Sequence, residues 1–589
     1  MSKSTMCLMS FAKSTGSKRS ILSLAAMLVS PLGLLACSSE PPITPIIYEC
    51  GSDPNLAFEN HKDDRTCGAG DPKLMKADGI TSIEPNWPDT VCMELKAKNA
   101  FPDEHNLDTE VQDALTSCRN KGPVKLVLGD NPANNSFVTG HLNIIDVVLW
   151  VDAGVTLYAS RDPGAYQNTG NCGVLGINDS SACLDYITVN STPVGTGQTP
   201  FLAPAIIGDG TIDGQGGEPL VGHDYSWWQM SGALRDVDGS IGNPTLINLG
   251  SNTTRFWMYR ITLHNSPKFH VKVSSAPSRP AQDSTCDSPG KGFLIWGVTI
   301  LTPSNWYNSQ GILMNPQFSR NSDGIDPGAN DDSACGVIAC STISTGDDHI
   351  AIKGGHSVTD LIIAHNHFGT GHGMSIGSET YGDATDSSGA KIPSVSNVEV
   401  YDLTIDADSR WVGNRVTGAD FNGIRIKTDT SRGGHVTGIS YHDICMRDIT
   451  NSILISTAYN PLFAGNYLPD FGELNFQNIH GVTCMAQTQT IVSINGFNVD
   501  HPTGPVTLDN VIFDNIGPES TWATFSNITL GPGNVNFTPS GLGVTVDNQI
   551  VHGGTNDAGV PNDEPRKCRF PTLPQPKGKP LDWVWSQPQ

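Results

Sequence analysis

Short apolar runs separated by Gly, Asn and Asp recur along most of this chain. Phe256–Ile261, Phe293–Val298 and Leu361–Ala364 are examples. Within them a smaller unit repeats, two apolar residues flanking one other, as Ile350-Ala351-Ile352, Met374-Ser375-Ile376 and Ile424-Arg425-Ile426, and Ile325 opens a similar one. The first members are 25, 24 and 50 residues apart. A step of that size suits a parallel β-helix, in which each coil stacks on the last at roughly 4.8 Å. The 50-residue step is one coil with a long loop, or two coils. A β-sandwich would need hairpin signals, which are scarce here. Around residues 108–115 the period turns helical, with Asp108 as an N-cap and Val111, Ala114 and Leu115 on one apolar face. The pattern therefore predicts an all-β parallel β-helix over residues 105–550, with an N-terminal helix capping its open end.

The flanks read differently. Residues 1–36 carry Lys3, Lys13, Lys18 and Arg19 ahead of an apolar run, Ile21–Ala36, that is short for a bilayer span. The run ends in Leu34-Leu35-Ala36-Cys37, which resembles a bacterial lipoprotein cleavage box. That resemblance implies an exported chain with a lipid on Cys37, held to the outer membrane or cell surface. Ordinary signal cleavage, with Cys37 there by chance and the chain secreted, is the alternative. Residues 37–48, with Pro41, Pro42 and Pro45, read as a semi-rigid tether. Residues 49–104 form a cysteine-containing N-terminal region, and 551–589 are left as a C-terminal tail.

Composition narrows the partners. The 589 residues hold 59 Asp and Glu against 35 Lys and Arg, a net charge of −24, and loss of the leader would make it −28. Nucleic acid is excluded, because phosphate binding rests on clustered positive charge. Of the 14 cysteines, 12 remain once Cys7 and Cys37 are set aside, an even number that suits disulfides in an oxidising compartment. The short-range candidates are Cys172 with Cys183, Cys335 with Cys340, and Cys445 with Cys484. The spacing gives no zinc site. No metal or cofactor is expected, and the chain is expected to be a monomer.

Four polar clusters sit beside the repeating units: Asn321-Ser322-Asp323, Gly346-Asp347-Asp348, Gly371-His372-Gly373 and Arg425-Ile426-Lys427. Aligned on the first apolar residue of each repeat, Asp323, Asp348 and His372 all fall two residues earlier. Equal positions stack in a β-helix, so these three should line one ridge. Arg425 and Lys427 alternate with Ile424 and Ile426, so both cations should face outward. Taken singly, an Asp near Gly is a turn residue and two cations are a solvated strand face. Their common register is what points to a site.

Together these clusters resemble those of the polygalacturonases, glycoside hydrolase family 28, whose pattern is Asn-Thr-Asp, Gly-Asp-Asp, Gly-His-Gly and Arg-x-Lys. Ser322 stands where the family usually has Thr. Gly208–Gly216 and Asn265–His270 are similar to further family signatures. The resemblance implies a right-handed β-helix that cleaves α-1,4-galacturonosyl links in pectin with inversion. It implies Asp347 as the general acid, with Asp323 and Asp348 activating water and His372 tuning the proton. Arg425 and Lys427 would bind the substrate carboxylate, with Asn321 beside them, and Tyr459 would stack on a sugar. Lys353 is a further candidate cation for the polyanion.

The chemistry follows from the residue types. Glycoside cleavage needs an acid for the leaving oxygen and a carboxylate for water or direct attack. Two carboxylates about 5 Å apart repel by about 3 kcal/mol at an effective dielectric of ~20, or ~2 pKa units. At least one should stay protonated near neutral pH. Close carboxylates by themselves would predict retention; the family pattern implies inversion. Asp347 and Asp348 are also neighbours, which ideal strand alternation would send to opposite faces, so a bend at Gly346 is expected. The rivals are a rhamnogalacturonan or xylogalacturonan hydrolase, a calcium-dependent pectate lyase, and a pectin-binding surface β-helix without activity. Endo action is favoured over exo. The connections 378–393 and 406–420 are candidate walls of the cleft.

Overall fold

Three strand-forming stretches per turn, each too short to bury both faces alone, fold into a stack of coils. The computed structural model describes residues 50, 52–53 and 67–578, apart from 193–201, 235–241, 251–252, 254, 274–291, 315–317, 329–332, 355–356, 383–392, 408–420, 461–464, 485–489 and 557–558. The leader, the tether and Cys37 lie outside the described residues, as does most of both candidate cleft walls.

The fold is a right-handed parallel β-helix. One sheet has eleven strands in strict chain order, from Leu142–Ile145 to Thr521–Thr524. A 22-stranded sheet wraps the other two sides. It bends at a corner where one residue per coil takes a left-handed conformation. Arg260, Cys340, His365, Asp402, Asp443, Asn478 and Asn510 all sit there, with φ between +47° and +61°. Asp and Asn tolerate that region, which explains the recurring polar punctuation of the apolar runs.

The register of the eleven-stranded sheet matches the repeat read from sequence. Ile325 pairs with Ile350, Ile350 with Met374, Met374 with Ile424 and Ile424 with Ile453. The 50-residue step is therefore one coil with a long excursion, since Met374 and Ile424 are direct neighbours. These side chains are fully buried and form a continuous column. Each such aliphatic side chain contributes roughly 1.5–3 kcal/mol by leaving water.

The helix Glu110–Ser117 buries Val111, Ala114 and Leu115. It packs on Leu142–Ile145, where the Gln112 side chain both accepts from and donates to the Asn143 backbone. Asp108 is not its side-chain cap. Thr109 holds the N-cap position, and the buried Asp108 carboxylate instead accepts from the Val138 amide at 2.8 Å.

Both chain ends run along the outside of the coils. The N-terminal stretch is fastened by Cys50–Cys484 and Cys67–Cys340, and reaches the first coil where Met93–Lys96 pairs with Val124–Val127. The C-terminal stretch is fastened by Cys445–Cys568, and Phe570–Pro571 pairs with Ser52–Asp53. Of the expected disulfides, Cys172–Cys183 forms. Cys335–Cys340 and Cys445–Cys484 do not, because Cys340 takes Cys67 and Cys445 takes Cys568. Five residue steps, through positions 336–339 of the strand Ser333–Ala339, put Cys340 about 16 Å from Cys335, beyond the ~7 Å that a disulfide spans. Cys445 lies opposite His480, four residues short of Cys484.

Candidate active site

The sequence clusters meet on the outer face of the eleven-stranded sheet, in a cleft of about 550 Å³. Asp347 and Asp348 lie on the bend between strands Thr342–Ser344 and Ile350–Ile352. Strand alternation does not act on a bend, so both carboxylates reach the same side. The Gly346 amide donates to Ser322 Oγ at 3.0 Å, which ties this bend to the preceding coil. Ser322 thus does structural work with the hydroxyl that it shares with Thr. Thr345 Oγ1 and the His372 amide both donate to the Asp347 carbonyl, each at 2.8 Å.

His372 sits on a loop that only glycine permits. Gly373 has φ +83°, and a Cβ there would lie 2.1 Å from the Gly423 carbonyl oxygen. Beneath the loop, buried His349 stacks on Phe368 with ring centroids 4.6 Å apart. Its Nδ1 accepts from the Gly373 amide at 2.9 Å, so its Nε2 carries the proton and donates to the Gly369 carbonyl at 3.0 Å. Burial lowers His349 to about 4, consistent with a neutral ring. The sequence reading assigned His349 no role.

His372 Nδ1 lies 2.9 Å from Asp347 Oδ1, the contact that a histidine tuning the Asp347 proton requires. Asp347 also accepts from the Asn321 and Asp348 amides, at 3.1 and 3.0 Å. Asp348 belongs to the two cations: Arg425 Nη2 donates to its Oδ1 and Lys427 Nζ to its Oδ2. Ser375, opposite Arg425 in the ladder, donates to Asp348 Oδ1 at 2.8 Å and accepts from Arg425 Nε. Tyr459 is 43% exposed, with Lys427 Nζ 5.0 Å from its ring centre, so its other face is open to stack on a ring. Tyr381, which the sequence did not single out, lines the same cleft at 46% exposure.

The charges sort the carboxyls into two classes. Burial, with Asp326 and Asp347 close by, pushes Asp323 well up; Lys353 only partly opposes this. Burial raises Asp326 to about 7, against Lys353. Burial also acts on Asp347, but the charge and hydrogen bond of His372 outweigh it and hold Asp347 below the usual range. Asp348 is likewise held low, burial being outweighed by Arg425 and Lys427. In the free protein the carboxyls pushed toward the neutral form are Asp323 and Asp326, by burial first and by like charge second, whereas Asp347 is held the other way.

Asp326 gives a stability prediction. It is fully buried, and neither carboxyl oxygen has a hydrogen-bond partner among the described residues. Its folded pKa of about 7 lies above the unfolded value, which is about 3.9. The native state therefore binds more protons between those limits, and its contribution to stability is full below pH ~4 and lost as pH rises to ~7. Asp347, Asp348 and Glu379 act with the opposite sign and lose theirs only as pH falls below ~4. Asp326→Asn should flatten the fall in urea midpoint between pH 4.5 and 7.5. An unchanged slope would contradict the assignment.

Oxygen, oxygen and nitrogen atoms of Asp347, Asp348 and His372 lie within 4.8 Å of one another. Such a trio invites a divalent ion. Both Asp348 oxygens, however, already hold buried cations, and these would repel one. The donor set suits proton transfer. The cleft also accounts for binding a polyanion on an acidic protein: Lys268, Lys272, Arg320, Lys353, Lys427 and Arg432 line it. They face five acids, Asp323, Asp326, Asp347, Asp348 and Glu379, of which two are held toward the neutral form. Local charge there is opposite to the net charge.

Known proteins are similar in sequence and in fold. The sequence profile of glycosyl hydrolases family 28 matches residues 202–535. A polygalacturonase of Ralstonia nicotianae is 34% identical over 490 residues, covering 78% of this chain and 82% of that protein. An endo-polygalacturonase of Pectobacterium carotovorum subsp. carotovorum is 34% identical over 459 residues, covering 77% and 93%. Among solved structures, a polygalacturonase from Erwinia carotovora ssp. carotovora aligns with a TM-score of 0.55 at 28% identity, covering 79% of this chain and 99% of that one. This chain is a glycoside hydrolase and belongs to glycosyl hydrolases family 28.

Proposed function

We propose that the protein is an exported endo-polygalacturonase that hydrolyses α-1,4-galacturonosyl links in de-esterified pectin. The observation that carries the reading is the Asp347–His372 pair, beside Asp323 and the cation-bound Asp348, at the floor of a cleft lined by six cations. Asp347 delivers a proton to the leaving glycosidic oxygen as the C1–O bond breaks. That proton is the one it shares with His372. A bound sugar excludes water from the pair, which adds to the burial already opposing ionisation of Asp347. Water bonds to C1 and gives its proton to Asp323, while Asp348 fixes the water's position. Asp348 is a poor nucleophile here because both oxygens hold cations; this favours attack by water, and hence inversion, despite the short spacing. Arg425 and Lys427 receive the galacturonate carboxylate from their outer sides, with Asn321 and Tyr459 beside them. Charge-assisted contacts of this kind discriminate the acid from its methyl ester.

Endo action rests on the likeness to endo-polygalacturonases of Pectobacterium species. Chromatography of early products from polygalacturonate tests it. A ladder of long oligomers is expected; mono- or digalacturonate alone from the first minutes would mean exo action. The intact acid cluster disfavours a purely adhesive β-helix, which has no use for it.

The lipid anchor is a separate part of the proposal and rests on Leu34-Leu35-Ala36-Cys37. Cys37→Ser should release the protein from the membrane fraction at unchanged specific activity. A wild type found wholly soluble would contradict it. The enzyme is taken to act as a monomer, without nucleic acid, metal or cofactor.

A further inference from the structure

Lys353 follows the strand Ile350–Ile352 and sets its ammonium between two carboxyls of the cleft. Nζ lies 3.6 Å from Asp323 Oδ2 and 3.2 Å from Glu379 Oε2, and the side chain is 12% exposed. A buried ammonium survives only with such partners. This placement changes the role expected from sequence. An ammonium committed to two protein carboxylates is a poor receptor for a third one on the polymer.

Asp323 needs that cation. Asp326, Asp347 and Asp348 all face it with like charge, and Lys353 is the cation that opposes them most directly. Lys268, largely buried beside Phe269, adds a weaker positive field. The Asp323 Oδ1 atom accepts no hydrogen bond from the described residues, although the residue lines the cleft. Glu379 in turn is held by Lys353 and by Arg432 at 3.3 Å, with Lys427 nearby, and Arg432 also reaches Ser378 and Asp429. One ammonium is thus divided between a cleft carboxyl and a carboxylate farther along the cleft.

We infer that Lys353 is a positioning residue that keeps Asp323 able to ionise, and that its sharing with Glu379 sets the pH below which the enzyme loses its base. The inference rests on the reading of Asp323 as the acceptor of the water proton. Without Lys353, burial and three acidic neighbours would hold Asp323 protonated through the acidic range. Without Glu379, the whole of the Lys353 charge acts on Asp323. The two removals therefore have opposite signs, which a merely structural role would not produce.

The test is the pH dependence of kcat/KM on polygalacturonate for wild type, Lys353→Met, Lys353→Arg and Glu379→Gln, each checked for folding by circular dichroism. Lys353→Met should move the acid limb up by about one pH unit or more. Activity should then fall about fivefold or more at the wild-type acid midpoint and recover toward higher pH. Lys353→Arg should keep the limb close to wild type, and Glu379→Gln should move it down. If Lys353→Met does not fold, the downward shift of Glu379→Gln decides the matter. Equal loss at every pH, or shifts of the same sign, would overturn the inference. Asp323→Asn separates this from the underlying mechanism. If it keeps full activity, the role of Asp323 is wrong; if it is inactive while the Lys353→Met limb does not move, only the inference about Lys353 fails.

Discussion

Asp347→Asn is expected to fold normally, bind polygalacturonate with little change in KM, and lose most of its kcat. Asparagine keeps the size, and its one amide oxygen can still accept from either the Asn321 or the Asp348 amide, which use different oxygens of Asp347. It cannot pass a proton to the leaving oxygen, and it replaces the carboxylate that faces His372 Nδ1 at 2.9 Å. General acid assistance is worth typically 10²–10⁴-fold, about 2.7–5.4 kcal/mol of barrier. Combining it with Asp323→Asn should cost far less than the product of the two losses, because both serve one bond and one water. Steady-state kinetics on polygalacturonate, with circular dichroism for folding, reads this directly. A folded Asp347→Asn protein of wild-type kcat would remove the mechanism.

Asp348→Asn should behave differently from its neighbour, by destabilising the protein as well as inactivating it. Arg425 and Lys427 are each about 5% exposed, and both put their charge on this one carboxylate. Neutralising it leaves two buried cations without their anion. Breaking a buried pair in this way typically costs about 3–5 kcal/mol. A lower urea midpoint than that of Asp347→Asn is therefore expected. Adding Lys427→Met should return part of the stability and none of the activity, since the pair is coupled and the chemistry is not. Equal midpoints for Asp347→Asn and Asp348→Asn would show that Asp348 carries no such structural load.

The sequence alone would have all three Asp→Asn changes act alike, and the reason it cannot separate them is physical. Spacing reveals register: Ile325, Ile350, Met374 and Ile424 stack because every coil returns to the same place, so the residues two positions ahead of each repeat converge. The fold and the convergence of Asp323, Asp348 and His372 were legible for that reason. Burial and cross-coil partners are not written in spacing. Nothing local tells Asp347 that His372 is its partner, or tells Asp348 that two cations are its own. Asp326 follows Ile325, which opens a repeating unit, and spacing gives it no role because its isolation from hydrogen-bond partners exists only in three dimensions. Glu379 and Arg432 lie off the repeating unit, so register gave them no signal. The disulfides failed for a related reason: short sequence separation suggested Cys335 with Cys340, while Cys340 turns outward at a corner and meets Cys67 of the returning N-terminal stretch.

The central claim is hydrolysis of galacturonosyl links by these acids. The most direct measurement is release of reducing ends from polygalacturonate in excess chelator, with ultraviolet absorbance followed in the same cuvette. Reducing ends should rise, undiminished by the chelator, with no absorbance from unsaturated product. A folded protein that releases none, or one whose products absorb and whose activity the chelator abolishes, would contradict the account.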